Sequence, residues 1–197
     1  MKEPLVFLLM GRSGCGKGTQ AELLIKFFKK EKLGKILYVY TGDEFRKFFR
    51  KKKNFTAEMA HKIELSGNLE PSFLSVWLWS RKLVEKMTPE ANLIMDGAPR
   101  NLTEAKIMND AFDFYARNNI KPIYLEVSRS WAMEKLLNRK REDDTIESIN
   151  KRFDFFDRSV MPVIDYYEGK SKYKLIRIYG EQSVEAVHRE ILGKVFK

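Results

Sequence analysis

The residues best suited to chemistry come early in the chain. Gly11-Arg12-Ser13-Gly14-Cys15-Gly16-Lys17-Gly18-Thr19 follows an apolar run, Leu5–Met10, and opens an amphipathic stretch that begins at Lys17. Glycines at this spacing let backbone N–H groups converge on phosphate oxygens. A helix N-terminus adds partial positive charge, and Lys17 supplies a full one. A glycine turn that merely joins strand to helix would not need the lysine. One position departs from the common phosphate loop: Gly18 stands where a Ser or Thr hydroxyl usually meets Mg²⁺, and Thr19 comes one residue later.

Such a loop needs a strand to end it and a helix to begin from it, and the chain offers both repeatedly. Short apolar runs at Leu5–Met10, Ile36–Tyr40, Leu93–Met95, Ile123–Val127 and Leu175–Ile178 are bounded by Gly, Pro or charge, as buried parallel strands are. Helical patterns fill the gaps. Lys17–Lys30 is expected to bury Ala21, Leu24, Ile25 and Phe28, and Ser72–Met87 to bury Phe73, Val76, Trp77, Leu83, Val84 and Met87. Leu102–Asn118, Trp131–Lys140, Ile146–Glu168 and Val184–Phe196 read as the remaining helices. Strand–helix alternation repeated five times predicts an α/β fold: a five-stranded, doubly wound parallel sheet with helices on both faces. Two regions interrupt it, 41–71 and 138–145, where ligands bind above the strand C-termini of such sheets.

Composition sets the outer limits. The 197 residues predict one domain. Lys+Arg 37 against Asp+Glu 27 leaves +10, which points to anionic partners. A single Cys excludes a disulfide framework and a cysteine-rich zinc site, and suits a reducing compartment. No run is long enough for a membrane span, and the six apolar residues Leu5–Met10 are too few for a secretory signal. A cytoplasmic protein is expected.

Five motifs in order carry a resemblance over nearly the whole chain. Besides Gly-Lys-Gly-Thr-Gln ending at Gln20, Thr41-Gly42-Asp43-Glu44-Phe45-Arg46 matches Thr-Gly-Asp-x-x-Arg, and Gly67-Asn68-Leu69-Glu70-Pro71 matches Gly-x-Leu-Val-Pro with Glu for Val. Asp96-Gly97-Ala98-Pro99-Arg100 matches Asp-Gly-Phe-Pro-Arg with Ala for Phe, Arg141-Glu142-Asp143-Asp144 matches Arg-x-Asp-Asp, and Lys151-Arg152 opens the long helix. The sequence resembles the nucleoside monophosphate kinases, most closely the adenylate kinase family. The resemblance implies a P-loop kinase with region 41–71 as the acceptor-binding insertion and 138–145 as a lid. On the donor side it implies ATP contacts from Gly14, Cys15, Gly16, Lys17, Gly18, Thr19, Lys135, Arg139 and Gln182. For the acceptor it implies Thr41, Arg46, Asn68, Leu69, Glu70, Gly97, Arg100, Glu104, Arg141 and Arg152. The catalytic cations would be Lys17, Arg100, Arg139, Arg141 and Arg152, and Asp96 would hold Mg²⁺ through water. Phosphoryl transfer between nucleotides needs cations, a metal and exclusion of water rather than a general base, because the attacking phosphate is already ionised.

Departures from the family bear on selectivity. Glu104 stands at the acceptor-base position where adenylate kinases carry Gln: a carboxylate can accept from adenine N6, or from guanine N1–H and N2–H. Lys135 replaces an arginine that stacks on the donor base. Arg139 and Arg141 are two apart, so the lid is a minimal loop without room for a zinc module. Asp143 and Asp144 are equally suited to capping the helix from Ile146. The reading is Mg²⁺-dependent interconversion of ATP + AMP and two ADP by a monomer, with no zinc, membrane or dedicated nucleic-acid site. GMP, CMP or UMP as acceptor is the alternative within the class. A P-loop nucleic-acid-binding or regulatory protein is the alternative outside it.

Overall fold

A central strand whose residues are buried on both sides organises the chain. In the computed structural model, which describes residues 3–51, 54–66, 68–139 and 144–196, β1 (Val6–Met10) lies between β3 (Asn92–Asp96) and β4 (Ile120–Glu126). β2 (Ile36–Tyr40) flanks β3 and β5 (Ile176–Tyr179) flanks β4, so the order is β2-β3-β1-β4-β5, all parallel. The pleat divides β1 between two cores. Val6, Leu8 and Met10 pack with α4 (Ser72–Lys86), α5 (Leu102–Phe114) and α8 (Met161–Gly169) through Trp79, Leu83, Met108, Phe112 and Ile164. Phe7 and Leu9 pack with α1 (Lys17–Lys30), α6 (Arg129–Arg139), α7 (Ile146–Phe155) and α9 (Val184–Val195) through Leu24, Phe28, Leu136, Phe153 and Ile191. The doubly wound α/β architecture follows from that alternation.

Region 41–71 folds as α2 (Thr41–Lys51) and α3 (Phe55–Leu65), which make a small core of their own with α4 from Phe45, Phe48, Ala57, Ala60, Leu74 and Leu78. Asn54 caps α3 by accepting from Ala57 N–H at 2.9 Å. Among the described residues, no helix is long and apolar enough to cross a membrane.

Several elements differ from the sequence expectation. β4 begins at Ile120 and includes Pro122, which a central strand should exclude. Pairing with β5 starts only at Ile123, so at Pro122 the strand has one neighbour. α5 ends at Phe114 rather than Asn118, because Ala116 turns into the left-handed region. There the buried Arg117 reaches back to the carbonyls of Pro89 and Thr88 at 2.8 and 2.7 Å. The expected helix Ile146–Glu168 runs through a π-helical segment, Phe156–Val160, between α7 and α8. Met161 N–H reaches Phe156 O, five residues back, and this wider turn accommodates Pro162, which lacks a donor.

The expected face of α4 is corrected. Leu74, Ser75, Leu78, Trp79 and Leu83 are buried, whereas Phe73 and Val84 are 69% and 77% exposed and Trp77 lies at the rim. Apolar residues surround this helix, so periodicity alone could not choose the stripe; the packing against α2 and β2 does. Trp79→Ala should therefore cost about 3–5 kcal/mol. Phe73→Ala should stay within about 0.5 kcal/mol. Urea denaturation of the two variants checks this ordering.

Candidate active site

The C-terminal ends of β1, β2 and β3 meet at one sheet edge, where Leu9 and Tyr40 both pair in register with Asp96. The glycine loop leaves β1 there. Gly14 adopts φ +85°, and a Cβ on it would come 2.8 Å from Ala132 O, so only glycine lets the loop lie against α6. Gly16, at φ +94°, caps α1 in a conformation that L side chains rarely adopt. No side chain caps α1, and its first turn holds no acid. Its first N–H groups therefore face the cleft with their positive partial charge unopposed. Lys17 curls over the loop, with Nζ donating to Gly11 O at 2.7 Å and Arg12 O at 2.9 Å.

Asp96 ends β3 inside the molecule. Its Oδ2 accepts from the Tyr38 hydroxyl at 2.9 Å, while Oδ1 is buried with no protein partner. Burial pushes its carboxyl up, and the charge of Lys17, the Tyr38 bond and the charge of Arg100 pull it back. A Cβ on Gly18 would lie 3.8 Å from Oδ2, so the first turn of α1 and the carboxylate face each other. A buried, orphaned carboxylate oxygen in a cleft that Thr19 also lines fits a hard, oxygen-seeking cation that keeps most of its waters.

A cleft of about 570 Å³ runs from this loop to the α2–α3 insertion, within the range of small-molecule sites. Gly14, Gly16, Lys17, Gly18, Thr19, Asp96, Gly97, Arg100, Lys135, Arg139 and Arg152 line it, as do Arg46, Asn68, Leu69 and Glu70. On the insertion side, the Tyr38 and Tyr40 rings stack at 6.3 Å, and Arg46 lies 5.1 Å from the Tyr40 ring centroid. Arg100 donates from Nε to Gly97 O at 2.9 Å and from Nη1 to Glu70 Oε2 at 2.8 Å. Across the cleft, Arg139 makes two bonds of 2.9 Å to Asp144, and Arg152 Nη2 donates to Asp144 Oδ1 at 2.8 Å. Burial pushes the Asp144 carboxyl up, but the hydrogen bonds from Arg139 and Arg152 outweigh it and hold it below the usual range. Asp144 is thus a clasp for two arginines. The cap of α7 is Thr145, whose hydroxyl accepts from Ser148 N–H at 3.1 Å. Lys135 lies 5.1 Å from the Trp131 ring centroid.

Four expected site residues do not reach the cleft. Thr41 is fully buried at the start of α2, behind Gly97. Cys15 is buried under the loop, and burial pushes its thiol up. Gln182, just past the end of β5, donates to Tyr179 O and Glu190, both at 2.7 Å, and does not line the cleft. Glu104 is fully enclosed, and its Oε2 accepts from Arg100 N–H at 2.9 Å. Asn101 caps α5 by accepting from Glu104 N–H at 2.9 Å. The carboxylate three residues on turns back to the helix entrance, in the manner of a capping box. The signal was present as Asn101-x-x-Glu104. Arg141, Asp143 and Gly67 lie outside the described residues. Tyr38, Tyr40 and Phe45 line the cleft without having been singled out. Alternation places Tyr38 and Tyr40 on one face of β2, which is the readable clue.

The sequence pattern of the adenylate kinase family matches residues 9–172. Adenylate kinase 1 of Nostoc sp. is 30% identical over 187 residues, 95% of each chain. The adenylate kinase of Oenococcus oeni is 30% identical over 178 residues, 90% of this chain and 91% of its own. The uridylate kinase of Saccharomyces cerevisiae is 28% identical over 191 residues, 94% of this chain and 88% of its own. The phosphate loop, the parallel sheet behind it and the match along most of the chain lead to one conclusion: this protein belongs to the adenylate kinase family of nucleoside monophosphate phosphotransferases.

Proposed function

We propose that the protein transfers the terminal phosphoryl group of ATP to AMP, reversibly and with Mg²⁺. The observation that carries this reading is the convergence of Lys17, Arg100, Arg139, Arg152 and the Asp96 carboxylate on one cleft. Lys17 and the N–H groups of α1 would hold the donor's β- and γ-phosphates. Arg46 and Arg100 would hold the acceptor's α-phosphate. Arg139 and Arg152, with Arg141 from the adjoining segment, would close over the transferring group. Arginine suits that place because its planar fork clasps two oxygens at once. Asp96, aided by Thr19, would hold the Mg²⁺ of the nucleotide, and bound Mg²⁺ neutralises charge that develops on the phosphate oxygens.

The insertion 41–71 would carry the acceptor and the segment around Asp144 would act as the lid. Their closure keeps water from the donor phosphate. AMP is favoured as acceptor by the several relatives named adenylate kinase, while the relative named uridylate kinase keeps a pyrimidine acceptor as the second reading. The bond from Arg100 N–H to Glu104 and its place outside the cleft lining support a reading in which Glu104 does not choose the base.

A coupled assay with ATP and each of AMP, GMP, CMP and UMP should give the highest kcat/KM with AMP. A higher value with another acceptor would reassign the substrate within the family. Glu104→Gln should leave the ratio of AMP to GMP unchanged, and a shift in that ratio would put Glu104 at the base after all. Lys17→Ala should lose about 10²–10⁴ in kcat.

The clasp predicts a pH dependence. The carboxyl of Asp144 is lowered in the folded state, so its contribution is complete above the ordinary carboxylate range and is lost as pH falls through the lowered value. Asp144→Asn should be about 1–2 kcal/mol less stable at pH 7, allowing for the partial exposure of both arginines. The gap from wild type should close below about pH 4. Urea denaturation across pH measures it, and a gap that persists in acid would mean that the clasp is not the cause.

A further inference from the structure

Glu70 occupies an unexpected place for an acid. The cleft gathers cations for anionic substrates, yet this carboxylate is 7% exposed, lines the wall and accepts from Arg100 Nη1 at 2.8 Å. The family motif carries an apolar Val at this position, which would pack without the cost of burying a charge. The backbone holds Glu70 firmly. Pro71 follows it as the N-cap of α4, and Pro71 O accepts from Leu74 and Ser75 N–H at 3.0 and 3.2 Å. Arg100 is equally fixed, with Nε on Gly97 O and the guanidinium 5.4 Å from the Phe45 ring centroid.

We infer that Glu70 reads the sugar of the acceptor nucleotide, accepting hydrogen bonds from its ribose hydroxyls and so selecting ribonucleotides over deoxyribonucleotides. The inference rests on the kinase reading, in which Arg100 holds the acceptor's phosphate. The guanidinium fork has donors beyond those used by Gly97 and Glu70. A phosphate oxygen and a carboxylate oxygen on one guanidinium lie within about 4–6 Å of each other, each at hydrogen-bond length. In a 5′-nucleotide that neighbourhood of the phosphate is the ribose, and the base edge lies further out. A carboxylate only accepts, and the vicinal hydroxyls donate. An acid paired with ribose hydroxyls is also how dinucleotide sites recognise the sugar. Arg100 between the two anions offsets their repulsion; Glu104 is enclosed away from the cleft, and Glu64 of α3, which also lines it, lies on the side of Arg46.

The test uses the full-length protein with AMP, 2′-deoxyAMP and 3′-deoxyAMP, measuring kcat/KM with ATP and the dissociation constant by calorimetry. Wild type should prefer AMP over at least one deoxynucleotide by about tenfold or more, the effect of leaving a buried polar group without its partner. Glu70→Gln, which keeps the size and one carbonyl acceptor, should reduce that preference. Glu70→Val should bring it close to one. A wild-type ratio near one overturns the inference, as does a ratio that survives in Glu70→Val. If Glu70 merely competes with phosphate for Arg100, Glu70→Val strengthens all three nucleotides equally and the ratio stands, which also overturns it. The kinase reading fails separately. A wild type that binds AMP over deoxyAMP but transfers no phosphate supports the sugar reading and removes the activity, and one that binds none of the three overturns both.

Discussion

Cations gathered in one cleft repel one another, and much of this molecule is arranged to hold off that repulsion. Three arginines that line the cleft are held by two acids. Glu70 holds Arg100, and Asp144 holds both Arg139 and Arg152. Behind the loop, Asp157 pairs with Arg12 at 2.6 Å and also with Arg129. In a partly enclosed site such pairs matter more than on an open surface, because water screens them less. They also set the arginines in position before any substrate arrives, which removes part of the ordering cost of binding.

Of these acids and Asp96, only Asp96 is placed by the sheet itself. Asp96 comes from β3, and its carboxylate faces the start of α1 because β1 and β3 are neighbours in register. Glu70 comes from the entry to α4, and Asp144 from the entry to α7. Asp157 sits in the π-helical turn, whose wider winding next to Pro162 carries the acid toward Arg12. Asp157 thereby ties the phosphate loop to the π-helical turn, Asp144 ties α6 to α7, and Glu70 ties the entry of α4 to the segment after β3. A change at one acid is felt by a cation on another element.

The wall of the cleft beside the insertion carries an acid at position 70. The insertion keeps its own small apolar core with α4 around Phe45, Phe48 and Leu78, and Phe45 also lines the cleft. Glu70 places a carboxylate in that wall at the entry to α4, one residue before its N-cap, Pro71. Tyr38 likewise reaches from β2 to Asp96 without disturbing the strand pairing.

The amino-acid sequence by itself determined the strands, the order of strand and helix, and the loop from Gly11 to Thr19. These rest on local backbone rules: alternation, helical period, and glycine where φ must be positive. The motif resemblance assigned Lys17, Asp96, Arg100, Arg139 and Arg152 to one site, and all five line one cleft. Only the tertiary structure decided which way ambiguous side chains turn. Trp79 rather than Phe73 enters the core because α4 is apolar on more than one side and its neighbours select the face. Glu104 turns inward because the N–H of Arg100 offers it a partner beside the entrance of α5. Glu70 faces the cleft because Arg100, thirty residues along the chain, draws it there. A carboxylate takes the best donor within reach, and which donors are within reach is settled by the packing of distant segments, which no local pattern records.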